Sequence, residues 1–211
     1  TIICVTKNRS FDEICQALDA GIAHIGENRV QEAEAKIGAL RDCIRRKNIP
    51  CTFHMIGHLQ TNKAAKALSM FDMIQSVDSL KLYKKINDLS RDQRRSSDVL
   101  LEVNTSKEAS KFGMSPDELI PFLKKVSEFD SVKVRGLMTM AAFSKNKESA
   151  RSCFRTLREV RDRINALKEK EGMPHVTMDF LSMGMSLDFE VAVQEGANMV
   201  RIGSAIFEGL Q

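Results

Sequence analysis

The stretch FLSMGMSLDFEVAVQEGANMVRIGSAIFE, residues 180–208, decides the predicted fold. Its apolar beginning, Phe180-Leu181, predicts a short strand that runs into a turn at residues 182–186. A helix is predicted from Leu187, and Gly196 is placed to end it in a left-handed cap. The first half of the stretch therefore predicts one strand, turn and helix unit.

The second half predicts a phosphate site. Met199 to Ile202 is a short apolar strand, and Gly203-Ser204 opens another helix directly after it. Gly203 lets a ligand approach the backbone, Ser204 offers an N–H and a hydroxyl, and Ser186 offers a hydroxyl from the neighbouring turn. An ordinary helix cap uses the same residue types, but the second turn beside it favours an anion site. In eight-stranded barrels, the common phosphate site lies between the last two βα loops.

The same alternation of strand and helix extends back to the start of the chain. Ile2 to Val5 is a continuous apolar run, typical of a parallel strand buried on both faces, and Lys7 follows it. Further strands are predicted at 23–25, 51–56, 73–77, 99–103 and 132–138, with helices between them. Capping boxes at 10–13 and 115–118 open two of these helices, and Asp78 is the predicted cap of another.

Eight alternating units without a linker predict an α/β protein with a (β/α)₈ TIM barrel. The alternative is an open doubly wound sheet. That fold commonly carries a G-x-G-x-x-G turn after a strand, and this sequence has none. The pattern therefore favours the closed barrel.

Composition indicates one globular domain. The 211 residues are 43% hydrophobic, with no run of eighteen apolar residues and no signal-peptide pattern, so we expect a cytoplasmic protein without a membrane partner. The net charge of +4 is spread among interleaved acidic and basic residues, which does not call for nucleic acid. The five cysteines show no C-x-x-C spacing, which argues against disulfides and a metal site. We expect a monomer.

A closed barrel brings the first strand beside the last, at one common mouth. Lys7 would then face the phosphate site formed by Ser186, Gly203 and Ser204. A lysine opposite a phosphate suggests an aldehyde that carries a phosphate. A lysine among apolar walls can lose its proton and attack a carbonyl group as the neutral amine, which gives a Schiff base. The alternative is a solvated lysine at a strand end.

Motifs at the predicted strand ends resemble one family. In chain order they are VTK (5–7), IGENRVQEA (25–33), FHMIGHLQTNK (53–63), EVNTSKEASKFG (102–113), VRGLMTM (134–140) and LSMGMSLDFEVAVQEGANMVRIGSAIF (181–207). In these motifs the chain is similar to the pyridoxal phosphate homeostasis proteins, which are single-barrel cofactor binders related to the N-terminal domain of alanine racemase. The resemblance covers nearly the whole chain. It implies that residues 1–211 form one such domain, without the helix that precedes the family's first strand.

The resemblance also implies a site for pyridoxal 5'-phosphate. Lys7 would hold the cofactor as a Schiff base. Ser186, Gly203 and Ser204 match the family's phosphate-binding positions, and Arg201 matches the arginine that approaches the pyridine nitrogen. An arginine does not give up its proton at neutral pH, so it would leave the ring nitrogen unprotonated and weaken the cofactor as an electron sink.

Other mouth residues rank below Lys7 in the resemblance. Asn28 matches the family's GEN motif and is a further expected cofactor-binding residue. Lys111 matches the lysine of the SK-x-G segment and ranks below Lys7. His54 is either a residue of the mouth or a fully hydrogen-bonded histidine beneath it. The sequence departs from the family pattern at residues 6–9, around the lysine, and at its last residues, 208–211.

The implied function is pyridoxal phosphate (vitamin B6) and amino-acid homeostasis inside the cell, by a binding protein without robust catalysis. Pyridoxal phosphate-dependent apoenzymes are candidate recipients of the cofactor. The alternative is an amino-acid racemase-like enzyme, which needs a second acid/base on the opposite cofactor face. Alanine racemase takes that tyrosine from a separate domain of a partner subunit, whereas the one tyrosine here, Tyr83, lies in a predicted outer helix. A Schiff-base aldolase or phosphosugar enzyme is the third class.

Overall fold

In the computed structural model, which describes residues 1–106, 108, 111–141 and 146–208, eight parallel strands close into a barrel in chain order. The strands are β1 (Ile2–Val5), β2 (His24–Glu27), β3 (Thr52–Met55), β4 (Met73–Val77), β5 (Ser97–Glu102), β6 (Val132–Met138), β7 (Val176–Met185) and β8 (Met199–Ile202). The predicted (β/α)₈ barrel is therefore confirmed, and the open sheet is excluded.

Helices surround the barrel. They are α1 (Phe11–Asp19), α2 (Val30–Lys47), α3 (Ala64–Met70), α4 (Leu80–Asp92), α5 (Leu119–Val126), α6 (Arg151–Leu167), α7 (Phe189–Gln194) and α8 (Ser204–Phe207). Short 3₁₀ turns precede α3, α5 and α6. Among the described residues, none of these helices combines the length and the apolarity that crossing a bilayer requires.

Two apolar layers hold the fold together. The larger layer lies between the strands and the helices, where side chains such as Leu101 and Phe154 are fully buried. A smaller cluster contains Ile3 of β1 and Leu100 of β5, which lie on opposite sides of the barrel and can meet only inside it. Met73, Met138 and Met199 complete this inner cluster. The barrel is therefore a packed core with a site at one end.

Both capping boxes are confirmed. Ser10 Oγ accepts from Glu13 N at 3.3 Å, and Glu13 Oε2 accepts from Ser10 N at 2.7 Å, so α1 begins at the predicted place. The second box opens a 3₁₀ turn, Pro116–Glu118, which leads into α5. Each box satisfies amide groups that a helix start leaves without an intrahelical partner.

Asp78 does not cap α4. Ser79 is the N-cap, and its hydroxyl accepts from Leu82 N at 3.4 Å. Asp78 directly follows β4, and its Oδ2 lies 3.1 Å from His58 Nδ1. The sequence has two capping residue types in succession, and the helix begins at Leu80, so the second of them, Ser79, takes the N-cap position.

The last βα units differ from the prediction in their bounds, since β7 begins at Val176 and α7 begins at Phe189 rather than at Leu187. β7 continues for ten residues, to Met185, where a turn was predicted from residue 182. Gly184 has a φ of +94°, and a Cβ at this position would lie 2.6 Å from Ala192 Cβ. The glycine therefore allows β7 to pack closely on α7 from within the strand. The predicted left-handed end of α7 is confirmed, since Gly196 also has a φ of +94°.

Gly136 provides a test of how tightly adjacent strands pack. A Cβ at this position in β6 would lie 2.0 Å from the carbonyl oxygen of Phe180 in β7, and backbone atoms cannot move aside cheaply. We expect Gly136→Ala to lower the free energy of unfolding by about 3 kcal/mol, measured by urea denaturation.

Gly38→Ala is the matched control. Gly38 lies within α2, and a Cβ there meets no atom within 4 Å. Because alanine favours a helix over glycine, this substitution is expected to raise the free energy of unfolding by about 1 kcal/mol. Equal effects of the two substitutions would contradict the tight β6–β7 contact.

Candidate functional site

A cavity of about 670 Å³ lies at the carboxyl ends of β1, β7 and β8. It is lined by five of the residues predicted from the sequence: Lys7, Ser186, Arg201, Gly203 and Ser204. Lys7 follows β1, Ser186 follows β7, and the other three belong to β8 and the start of α8. Barrel closure therefore brings the predicted lysine and the predicted phosphate turn to one pocket.

Asn28 is not among the residues that line this cavity. It lines a separate depression of about 450 Å³, together with His58 and Lys63. The backbone of Asn28 is packed tightly, since a Cβ on Gly57 would lie 2.2 Å from Asn28 O. Its role in cofactor binding stays a prediction.

Lys111 and His54 have partners outside the cavity. Lys111 Nζ donates to Ala141 O at 3.0 Å. His54 is 1% exposed and lies within hydrogen-bonding distance of both His24 and Gln75. Of the two alternatives for His54, the structure shows the hydrogen-bonded histidine beneath the mouth.

Lys7 is carried on a tight turn. Arg9 N donates to Thr6 O at 3.2 Å, and Asn8 has a φ of +57°, a left-handed conformation that asparagine tolerates. The Lys7 side chain is exposed at the rim of the cavity, whereas apolar walls were expected around it. Only a ligand that fills the cavity would shield the Lys7 side chain from water.

A buried ion pair anchors this turn from below. Lys36 Nζ donates to Thr6 O at 2.7 Å and lies 2.6 Å from Glu27 Oε1. Thr6 Oγ1 donates to the same carboxylate oxygen. Glu27 is 1% exposed, so its charge depends on these partners. The backbone beneath Lys7 is thereby tied to β2 and α2, a feature that the sequence analysis missed.

The turn at Gly203-Ser204 leaves room for a ligand. A Cβ at Gly203 would meet only Val5, at an ordinary contact distance of 3.5 Å, so the protein's own packing does not require a glycine there. Both residues line the cavity. Gly203 N lies 3.4 Å from Ser186 Oγ, and α8 begins at Ser204, so its first amide groups have no intrahelical acceptor. These donors fit a phosphate group.

Arg201 is a buried cation at the base of the cavity. It is 3% exposed, and it donates through Nη1 to Ser182 Oγ at 2.7 Å and through Nη2 to Thr139 O at 2.8 Å. Burial lowers the pKa of Arg201 to about 10, while Glu102 and Asp188 oppose the shift. The guanidinium therefore stays protonated at neutral pH.

Ser182 and Glu102 are buried polar residues that act on Arg201, and the sequence analysis gave them no role. Ser182 was placed in a turn, but it lies inside β7 and is fully buried. Glu102 ends β5, is 2% exposed, and its Oε2 has no hydrogen-bond partner in the described part of the chain. The one indication in the sequence was that Glu102 is an acidic residue within the apolar run at 99–103. Within the described ranges, no cluster of His, Cys, Asp or Glu side chains could hold a metal ion.

The carboxyl group of Glu102 predicts a pH dependence of stability. Burial, reinforced by Asp78 and opposed by Arg201, raises its pKa from 4.5 to about 7. The folded state therefore binds more protons than the unfolded chain between these values, and the resulting stability is lost as the pH rises through about 7. We expect Glu102→Gln to reduce the difference in unfolding free energy between pH 5 and pH 8 by roughly 2 kcal/mol.

The measurement is urea denaturation at a series of pH values. Glu159→Gln is the control, because Glu159 lies on the exposed face of α6 and its substitution should leave the profile of the unmodified protein intact. A Glu102→Gln protein with the same pH profile as the unmodified protein would show that this carboxyl group does not titrate as described.

Sequence comparisons identify relatives of the chain. The family model described as alanine racemase, N-terminal domain, matches residues 2–211. The pyridoxal phosphate homeostasis protein of Aquifex aeolicus is 40% identical over 206 residues, which cover 98% of this chain and 85% of that protein. The protein of the same name from Pasteurella multocida is 34% identical over 206 residues, covering 98% and 84%.

Solved structures show the same relationship. PipY of Synechococcus elongatus PCC7942 with pyridoxal phosphate bound has a TM-score of 0.84 and 35% identity, over 98% of this chain and 92% of PipY. An alanine racemase of Clostridium difficile 630 shares the fold, with a TM-score of 0.74 at 14% identity, over 98% of this chain and 51% of the racemase. The chain therefore belongs to the pyridoxal phosphate homeostasis protein family, which is built on the barrel of the alanine racemase N-terminal domain.

Proposed function

We propose that this protein holds pyridoxal 5'-phosphate as a Schiff base on Lys7 and acts in pyridoxal phosphate and amino-acid homeostasis without robust catalysis. The observation that carries the proposal is the shared cavity, where the amine of Lys7 and the turn at Gly203-Ser204 line the same walls. The relatives named for this homeostasis, and PipY with its bound cofactor, support it. The same proposal includes a cytoplasmic location, a monomeric state and transfer of the cofactor to apoenzymes.

The charges around the cavity suit an anionic ligand. Lys7, Arg9 and Arg201 contribute positive charge, and Asp188 contributes one carboxylate. That carboxylate is already engaged, because Asp188 Oδ1 accepts from Met185 N at 2.6 Å. Phosphate recognition combines such cations with free backbone and hydroxyl donors, which Gly203, Ser204 and Ser186 would supply.

Lys7 and Arg201 would have separate roles toward the cofactor. When bound, the cofactor supplies an aldehyde and an electron-withdrawing pyridine ring. Lys7 Nζ would form a C=N bond with the aldehyde carbon, and the carbonyl oxygen would leave as water. Arg201 would donate a hydrogen bond to the ring nitrogen and keep its proton, because its pKa of about 10 lies well above neutral pH. A ring nitrogen left unprotonated withdraws electrons weakly, which favours holding the cofactor over turnover.

The position of Tyr83 weighs against the racemase-like alternative. It is the one tyrosine of these 211 residues, and it lies in α4, 1% exposed. Its ring packs edge-on against Phe122 and Phe129, and burial raises the pKa of its hydroxyl. A tyrosine in the outer helix layer is not placed to act as the second acid/base that racemisation requires.

Reduction with borohydride tests the attachment at Lys7. We expect the protein loaded with pyridoxal phosphate to be yellow, to lose its visible band on reduction, and to carry the cofactor mass on the peptide that contains Lys7. Lys7→Ala should be colourless, whereas Lys81→Ala, an exposed lysine of α4, should behave as the unmodified protein.

Two results would overturn the proposal. Reduced cofactor located on another lysine would remove Lys7 from its role. Sustained conversion of L-alanine to D-alanine that is lost in Lys7→Ala would replace the binding protein with an enzyme.

Ser204→Asp tests the phosphate turn. The new carboxylate would lie beside the phosphate, so like-charge repulsion should weaken retention of pyridoxal phosphate at least about tenfold. Equilibrium dialysis followed by the visible band measures the change. Ser152→Asp, on the exposed face of α6, adds the same charge away from the cavity and should leave retention unchanged. Equal retention in both variants would argue against a phosphate at this turn.

A further inference from the structure

A continuous row of hydrogen-bonded side chains crosses the barrel interior from Arg201 to His24. Arg201 Nη1 lies 2.7 Å from Ser182 Oγ, and Ser182 Oγ lies 2.7 Å from Gln75 Oε1. Gln75 Nε2 lies 3.1 Å from His54 Nδ1, and His54 Nε2 lies 3.1 Å from His24 Nδ1. The three middle residues are at most 1% exposed. The row links the cofactor cavity to β2 through β7, β4 and β3.

Arg201 and the orientation of the Gln75 amide together set the direction of the hydrogen bonds in this row. A guanidinium group only donates, so Ser182 Oγ accepts from Arg201 and gives its single hydrogen to Gln75 Oε1. The NH₂ group of Gln75 then faces His54 Nδ1, which has to accept. The proton of His54 therefore lies on Nε2 and is donated to His24 Nδ1.

A second contact supports this orientation of the Gln75 amide. Gln75 Nε2 also lies 3.8 Å from Met199 Sδ, and a thioether sulfur can only accept. His54 is also neutral, as this amide orientation requires. Burial, with a smaller contribution from His24, lowers the pKa of His54 to about 3. A protonated His54 would have no lone pair for the amide to bind.

Neutral groups are what hold Arg201 in place. No carboxylate in the described part of the chain lies within ion-pairing distance of its guanidinium, and Glu102 and Asp188 act on it only through space. Its recorded hydrogen bonds go to Ser182 Oγ and to Thr139 O. Since a guanidinium carries five N–H groups, the others are left for a ligand in the cavity that Arg201 lines.

We propose that Gln75 is a positioning residue which, through Ser182, holds the Arg201 guanidinium toward the cofactor cavity. The inference rests on the proposed cofactor site. Without the Gln75 oxygen, the Ser182 hydroxyl loses the acceptor that keeps its lone pairs turned toward Arg201. A purely structural hydrogen-bond network would instead change stability and leave recognition of the cofactor ring unaffected.

The experiment compares two ligands that differ at one atom. One is pyridoxal 5'-phosphate, and the other is its 1-deaza analogue, in which a C–H replaces the ring nitrogen. We expect the unmodified protein to bind the first about tenfold more tightly, because only it accepts a hydrogen bond from Arg201. Gln75→Met should abolish this difference, and so should Ser182→Ala, which serves if the first variant does not fold.

Ser76→Ala is the matched control. Ser76 neighbours Gln75 on β4, is fully buried, and its hydroxyl has no hydrogen-bond partner among the described residues. Its substitution disturbs the same strand without touching the row, and should keep the tenfold difference.

Nitrogen-15 NMR of the apoprotein provides a readout that needs no cofactor. The chain has 4 histidines, so their imidazole signals can be assigned by substitution. We expect His54 to be protonated at Nε2 in the unmodified protein and at Nδ1 in Gln75→Glu, because a carboxylate accepts where the amide donated. Gln75→Glu keeps an acceptor for Ser182 and should retain discrimination between the two ligands.

The outcomes separate this inference from the proposed function. His54 protonated at Nδ1 in the unmodified protein, or a Gln75→Met protein that still distinguishes the ligands, would overturn the positioning role. An unmodified protein that binds neither ligand would overturn the proposed function and, with it, the role of Arg201 toward the cofactor. The NMR measurement would still report which nitrogen of His54 is protonated, and so the direction of the hydrogen bonds in the row.

Discussion

Pairing of the first strand with the last is the constraint on which the site depends. β1 and β8 run parallel with Ile3 opposite Arg201 and Cys4 opposite Ile202. This register places the turn that carries Lys7 beside the turn at Gly203-Ser204, although the two lie at opposite ends of the chain. An open sheet with the same strands would hold these turns at opposite edges. Closure therefore creates the cavity, and the register of one strand pair sets its geometry.

The turns on either side of the cavity are held by different interactions. The Lys7 turn is fixed from below by the buried Lys36–Glu27 pair, whose desolvation is costly unless each partner is present. The two turns are also joined to each other, because the guanidinium of Arg9 lies 4.5 Å above the ring of Phe207 in α8. The Lys7 side chain thus extends from a backbone that is held on two sides, as precise placement of a ligand requires.

Elements set by local chemistry were predictable from the sequence. The apolar runs gave β4, β6 and β8 with their observed bounds, and the capping boxes gave the starts of two helical segments. The turn at Gly203-Ser204 was predicted as a phosphate site because the turn that carries Ser186 lies beside it, since glycine and serine alone also form ordinary helix caps. The role of Ser182 could not be predicted, because serine and glycine so close together in the sequence are typical of a turn. Only the closed barrel shows that β7 continues inward.

The row from Arg201 to His24 could not be predicted from local sequence patterns. Its five members come from five strands, which meet only because the barrel closes. Apolar residues would fill the same space at less cost, because each buried polar group must find a partner.

Because its partners are neutral, Arg201 keeps its positive charge and part of its N–H groups available to the cavity. A carboxylate at contact distance would compensate the positive charge and compete for the N–H groups, whereas Ser182 and the Thr139 carbonyl orient the guanidinium and leave its charge for the cavity. The inner apolar cluster around Met199 excludes water from this end of the row and so strengthens the hydrogen bonds that it encloses. The polar interior therefore reaches the base of the cavity, where buried neutral groups hold Arg201 in place.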